Sequence, residues 1–185
     1  MRVFIAGSRH VSRLDAGVCR RLDNMIEKRL PILVGDANGA DKAVQAYLHG
    51  KHYDLVQVYC SGDDCRNNVG AWPVAHVAAA GGRRDFGFYA TKDRAMAKEA
   101  SHGLMIWDGK SVGTLMNAAR LVGLGKPVVV YTAPAKTFTD LKRKADWEAF
   151  VSDCNATLRE RIDRELAAEA QGAEQRQPAG QTSFL

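Results

Sequence analysis

An apolar run followed by a stretch with helical spacing, repeated along the chain, is the feature that most restricts this sequence. Residues 2–7 (RVFIAG), 32–36 (ILVGD), 54–60 (DLVQVYC), 102–108 (HGLMIWD) and 127–132 (PVVVYT) are short runs dominated by apolar side chains. Runs of this length predict strands buried on both faces. Between the first two, Leu14, Val18, Leu22, Met25, Ile26 and Leu30 share one helical face, and Pro31 ends it. Residues 38–49 open on polar capping candidates and carry Ala43, Val44, Tyr47 and Leu48 at helical spacing. Residues 89–100 and 114–125 supply two more helices. Strand–helix alternation of this kind predicts an α/β fold with a parallel sheet. Right-handed crossovers with one reversal give a Rossmann-like three-layer α/β/α sandwich whose five-stranded parallel sheet has the order 3-2-1-4-5. The first and fourth strands then lie side by side at the switch point, where ligands bind outside the carboxyl ends.

The remaining segments bound the domain. Residues 139–170 read as one long added C-terminal helix, docked through Trp147, Phe150, Val151 and Cys154. Residues 1–136 are thus expected to form the ligand-binding domain, 137–170 a helical extension, and 171–185 a tail of disordered composition. Residues 61–88 read as an irregular loop rich in glycine, asparagine and paired charges, long enough to suggest a specificity element or lid. Trp72 and Phe86 within it either stack on a base or anchor the loop to the core. A chain of 185 residues fits one domain, and no apolar run is long enough to span a bilayer. The N-terminal MRVFIAGSRHV does not have the form of a signal peptide. Cys19, Cys60, Cys65 and Cys154 form no CxxC pair, so reduced thiols and a cytoplasmic location are expected. The net charge of +5 is uneven: residues 1–136 carry +7 and residues 137–185 carry −2. A basic body suits an anionic ligand, and equally suits mere solubility. The five histidines have no metal-ligand spacing, and neither a metal nor a cofactor is expected.

Three glycine-bearing loops fall on the carboxyl edge of the expected sheet. The segment Asp108-Gly109-Lys110-Ser111-Val112-Gly113-Thr114 combines free backbone amides with a helix start, which suits a phosphate, and Ser111 or Thr114 adds a hydroxyl. An ordinary turn with Ser111 as cap would look similar, and neither a Walker A nor a GxGxxG frame is present. Gly7, Ser8 and Arg9 follow the first strand, with Arg9 offering a fork-shaped cation. Gly35, Asp36, Asn38, Gly39 and Asp41 follow the second. There Asp41 either orients a ribose hydroxyl or complements the helix dipole. Lys92, Asp93 and Arg94 stand near the start of the third helix, where Arg94 could reach a phosphate.

Taken together, GSR, GDANGAD, KDRAM and WDGKSVGT…GKPVVVY resemble the SLOG superfamily, most closely its YspA-like branch, over residues 1–132. Relatives of that superfamily include DprA, Smf and LOG-type proteins, all Rossmann-like. The resemblance implies binding of a nucleotide or nucleotide-derived ligand at the switch point, as a sensor or processing domain. It matches Gly7, Ser8 and Arg9 to the first loop, Gly35, Gly39 and Asp41 to the second, and Asp108, Ser111, Gly113 and Thr114 to the last. Some LOG-type relatives hydrolyse the N-glycosidic bond of nucleoside monophosphates with a glutamate three residues past the threonine; here that position is Asn117. Asp36 also stands where a glycine is usual, placing an acid near the expected anion site. Asparagine cannot act as a base at neutral pH, so catalysis at this position would need Asp41, Asp93 or Asp108 instead. A third reading is a DNA-processing accessory protein: Gln181, Thr182, Ser183, Phe184 and Leu185 resemble a bacterial sliding-clamp-binding peptide. Whether the chain forms a homo-oligomer is left open.

Overall fold

The computed structural model describes residues 1–78 and 86–174. Gln181–Leu185 and most of the expected tail lie outside the described residues, as does the side chain of Phe86. Strands β1 (Val3–Gly7), β2 (Ile32–Gly35), β3 (Val56–Ser61), β4 (Val74–Val77), β5 (His102–Trp107), β6 (Val128–Thr132) and β7 (Thr137–Leu141) form one sheet. Their order is β4-β3-β2-β1-β5-β6-β7. The five expected strands keep the expected order in its middle, with β1 flanked by β2 and β5. Two strands were not expected. Val74–Val77 extends the parallel sheet beyond β3, and Thr137–Leu141 closes the other edge antiparallel to β6.

Helices α1 (Ala16–Glu27) and α2 (Ala40–Gly50) cover one face of the sheet. Helices α3 (Phe86–Glu99), α4 (Val112–Gly123), α5 (Lys144–Ser152) and α6 (Ala156–Glu174) cover the other. The strands alternate accordingly. Val3, Ile5, Val34, Val58 and Ile106 pack with Val18, Leu22, Val44 and Leu48. Phe4, Ala6, Leu33 and Met105 pack with Met96, Leu115, Met116 and Ile162. Asp15 caps α1 by accepting from the Gly17 amide at 2.7 Å.

The stretch expected as one helix over 139–170 is the end of β7 followed by two helices. Thr137-Phe138-Thr139-Asp140-Leu141 alternates in the strand period, and Leu141 is buried. Asn155 interrupts the helix and restarts it, its side chain accepting from the Leu158 amide at 2.9 Å. Leu158 and Ile162 then bury themselves in the core, so α6 packs along α4 rather than projecting into solvent. The cysteines also depart from expectation: Cys60 and Cys65 are joined in a disulfide, with Cα atoms 5.3 Å apart, while Cys19 and Cys154 are free. Four intervening residues turn sharply at the end of β3, and that return brings the pair within bonding range.

Candidate functional site

A cavity of about 600 Å3 opens at the carboxyl edge of the sheet, above the junction of β1 and β5. One wall is the loop between β5 and α4. Ser111 caps α4, its hydroxyl accepting from the Thr114 amide at 3.4 Å and from the Thr114 hydroxyl at 3.0 Å. Val112 and Gly113, in the first turn, face the cavity, where helix amides have no intrahelical partner. Asp108 organises this loop: one oxygen accepts from the amides of Lys110 (3.0 Å) and Ser111 (2.7 Å). Its other oxygen takes the Ser8 hydroxyl at 2.7 Å, which locks the β1 loop to the β5 loop. Burial works against the charge on Asp108, but these hydrogen bonds outweigh it and hold the carboxyl below its ordinary range. Asp108 is thereby committed to the loop and is poorly placed as a base. Lys110 stands exposed beside the helix start, so amides, helix dipole and ammonium together suit an anion.

The β1 loop is tied to the second glycine loop as well. The Ser8 carbonyl accepts from the Ala40 amide at 3.0 Å, where α2 begins. Gly39 makes this turn at φ 79, and a side chain there would run into the Arg9 backbone. The three loops expected to converge therefore do so through hydrogen bonds between their own backbones and side chains.

The floor of the cavity is a buried charge cluster. Lys92 Nζ lies 2.9 Å from Asp93 and 3.9 Å from both Asp36 and Asp41. Gly35 permits this: a Cβ on it would overlap the Asp41 carboxylate and the Lys92 ammonium. Asp41 also accepts from the Ala37 amide at 3.2 Å. Burial dominates Asp41 and pushes its carboxyl up to about 6, with Lys92 opposing the shift. Asp93 behaves oppositely. Burial disfavours its charge, but Lys92, Arg120 and a hydrogen bond from Asn117 Nδ2 at 3.2 Å hold its carboxyl below the usual range. Burial likewise resists the ammonium of Lys92, and its carboxylate neighbours raise its pKa nonetheless. Asn117 in turn accepts from Arg120, which pairs with Glu169 of α6.

Of the expected ligand residues, Gly7, Ser8, Arg9 and Asp41 line the cavity, as do Lys92, Asp93 and Asp108. Lys110, Ser111, Gly113, Thr114 and Asn117 line it too. Gly35, Gly39 and Gly109 do not line the cavity: Gly35 ends β2 and makes room for Asp41 and Lys92, while Gly39 and Gly109 turn the backbone at φ 79 and φ 83. Arg94 points away and pairs with Glu169 at 3.4 Å. Asp36 is sequestered: Arg66 clasps its carboxylate at 3.0 and 2.6 Å and donates its amide at 3.0 Å. The acid expected to repel an anion is thus neutralised by an arginine from the 61–88 segment.

Arg66, Tyr89 and Arg161 line the cavity without having been among the expected ligand residues. Arg66 and Arg9 both place their guanidinium groups against the Tyr89 ring, at 4.4 and 5.2 Å from its centre. Arg161 reaches the cavity from α6. The long loop was a signal for Arg66; nothing distinguished Arg161 from other charged positions of its helix. Trp72, weighed as a stacking residue, is buried and donates to the Tyr53 carbonyl at 2.9 Å, so it anchors its loop.

No family model matches the sequence, and no curated protein is significantly similar to it. Among solved structures, the fold is similar to that of DNA processing protein A (DprA) from Helicobacter pylori, described in a study of its single-stranded DNA binding mode. The TM-score is 0.54 at 15% identity, over 70% of this chain and 64% of that one. The match spans less than two thirds of the DprA chain, and what the two share is a DprA-like Rossmann fold.

Proposed function

We propose that the cavity binds a nucleotide or nucleotide-derived ligand, in a sensing or processing role, with its phosphate at the α4 N-terminus. The observation that carries this reading is the meeting of Lys110, the first turn of α4 and the Ser8–Asp108 latch on one side of a cavity with Tyr89 on its rim. The helix start and Lys110 supply donors and positive potential for a phosphate. Tyr89 and the Arg9 and Arg66 guanidinium groups over its ring form a planar, cationic surface of the kind against which a base packs. The resemblance of the glycine loops to the YspA-like branch of the SLOG superfamily points the same way. The single-stranded DNA bound by the DprA neighbour presents the same phosphate and base chemistry. The test is thermal: adenosine monophosphate, adenosine diphosphate and ADP-ribose are titrated against the melting temperature. Binding raises it by mass action, and a flat response to all three at millimolar concentration removes the reading.

A second reading, hydrolysis of a nucleotide N-glycosidic bond, has one specific observation behind it. Two carboxyls on the cavity floor are driven apart, Asp93 kept ionised and Asp41 raised to about 6. That is the division expected of a stabilising carboxylate and an acid. Asn117, at the position of the family glutamate, donates to Asp93 and would orient the group that replaces it. Release of free base from adenosine monophosphate, lost in Asp93→Asn, tests this reading; no base release by the unmodified protein removes it.

A further inference from the structure

We propose that Cys60 and Cys65 form a thiol–disulfide switch that sets the position of Arg66 on the cavity. Cys60 is fully buried at the end of β3, whereas Cys65 is partly exposed and directly precedes Arg66. The disulfide fixes the start of the segment that carries Arg66. That segment is then fastened by Asp36, by Asn67 Nδ2 on the Asp36 carbonyl (2.8 Å), and by the Val69 amide on Gln45 Oε1 (2.9 Å). Both sulfurs lie within 4.8 Å of an Asp36 carboxylate oxygen, so the redox centre adjoins the carboxylate that Arg66 neutralises.

The exchange is chemically simple. A dithiol reductant attacks Cys65 Sγ, the accessible sulfur, and Cys60 leaves as a thiolate that takes up a proton. The reductant's second thiol then attacks its own sulfur in the mixed disulfide and releases Cys65. The protein gains two electrons and two protons, and the reductant departs as a cyclic disulfide. Two thiols cannot approach as closely as two bonded sulfurs. Cys65 therefore moves outward, being the less confined, and takes Arg66 with it. Asp36 then keeps only Lys92, 3.9 Å away and shared with Asp41 and Asp93, and its negative charge is less covered near the anion site. The loop movement rests on the disulfide and its contacts alone; the consequence for ligand rests on the anion-binding reading above. Reduction is expected to weaken binding of an anionic ligand.

The group Asp36, Cys60 and Cys65 is also close enough to hold a cation, but both Asp36 oxygens are committed to Arg66, which favours redox exchange over metal binding. The full chain, oxidised or treated with dithiothreitol, is compared by hydrogen exchange and by adenosine monophosphate titration. Thiol alkylation is expected to find two additional thiols after reduction. The Arg66 and Val69 amides are expected to exchange about tenfold faster, with β1 unchanged. Adenosine monophosphate affinity is expected to fall about fivefold, and Arg66→Ala to abolish that redox dependence. Cys65→Ser, at the less buried sulfur, should match the reduced form even under oxidant. Failure of dithiothreitol to open the bond in the folded protein overturns the proposal. So do equal exchange in the two states and stoichiometric zinc uptake by the reduced protein. If the loop responds but adenosine monophosphate binds neither state, the switch stands and the nucleotide reading fails.

Discussion

The two sides of the cavity use aspartate in opposite ways. In the α4 loop, Asp108 is satisfied by groups two and three residues away and by Ser8, and its carboxyl stays low. On the floor, Asp36 and Asp41 share the buried Lys92, which reaches them from α3, and Asp93, its neighbour in that helix, pairs with it directly. A loop aspartate is held by local backbone; a floor aspartate is held by tertiary charge balance. The floor should therefore answer to mutation mainly through stability, and the loop mainly through ligand.

Lys92→Met tests the larger half of that contrast. It removes the cation shared by Asp36, Asp41 and Asp93, leaving Asp36 to Arg66 and Asp93 to Arg120, and removal of one partner from a buried ion pair typically costs about 3–5 kcal/mol. Urea denaturation at neutral pH should show a loss of that order, partly restored by Asp93→Asn in the same chain. A loss under about 1 kcal/mol would mean that the floor is hydrated and the contrast false.

Asp41→Asn tests the same floor through pH. The carboxyl of Asp41 is raised in the folded state, so its contribution to stability is fully present below about pH 4 and is lost as pH rises through about 6. The variant has no such loss. Its stability relative to the parent should grow by up to about 3 kcal/mol between pH 4 and pH 8. Asp93 and Asp36, whose carboxyls are lowered, act with the other sign: their contribution disappears as pH falls through their folded values. A pH-independent difference between parent and Asp41→Asn would refute the assignment of the high value to Asp41. Gly35→Ala comes next, since its Cβ would press on the Asp41 and Lys92 termini. Overpacking of this kind costs about 1–3 kcal/mol. The melting temperature of the variant should fall, and its Asp41 transition should shift.

How much of this was legible in the sequence follows from which forces are local. The five central strands and their order came from apolar runs and crossover handedness, and α4 with its Ser111 cap came from a few adjacent residues. The convergence of Gly7–Arg9 with Asp108–Thr114 followed from that order. Edge strand β4 is only four residues, Val74-Ala75-His76-Val77, with His76 exposed, and is too short to stand out from its loop. β7 is hidden because its threonines run directly into a helical pattern, and the cap at Asn155 lies inside that pattern. Asp108, Asp41 and Asp93 look alike in sequence. Their division has three sources: Ser8 and the loop's own amides hold Asp108 low, burial raises Asp41, and adjacent Lys92 with Arg120 and Asn117 of α4 holds Asp93 low. Arg66 covering Asp36 and Arg161 entering from α6 are contacts of the same long-range kind.

Lys110→Ala should have the smallest effect on the fold and a selective effect on ligand. Lys110 is exposed, and the hydrogen bond that shapes its loop comes from its backbone amide, which alanine retains. Stability should change by no more than about 0.5 kcal/mol. If the phosphate sits at the α4 start, adenosine monophosphate affinity should fall by about 1–2 kcal/mol, and its dependence on salt should weaken because one cation has gone. Lys28→Ala, an exposed lysine at the end of α1, serves as the control and should leave both quantities unchanged. Equal affinity losses in Lys110→Ala and Lys28→Ala would reduce the effect to net charge and move the phosphate away from α4. A loss confined to Lys110→Ala, at unchanged stability, would keep the division between a loop that binds and a floor that holds.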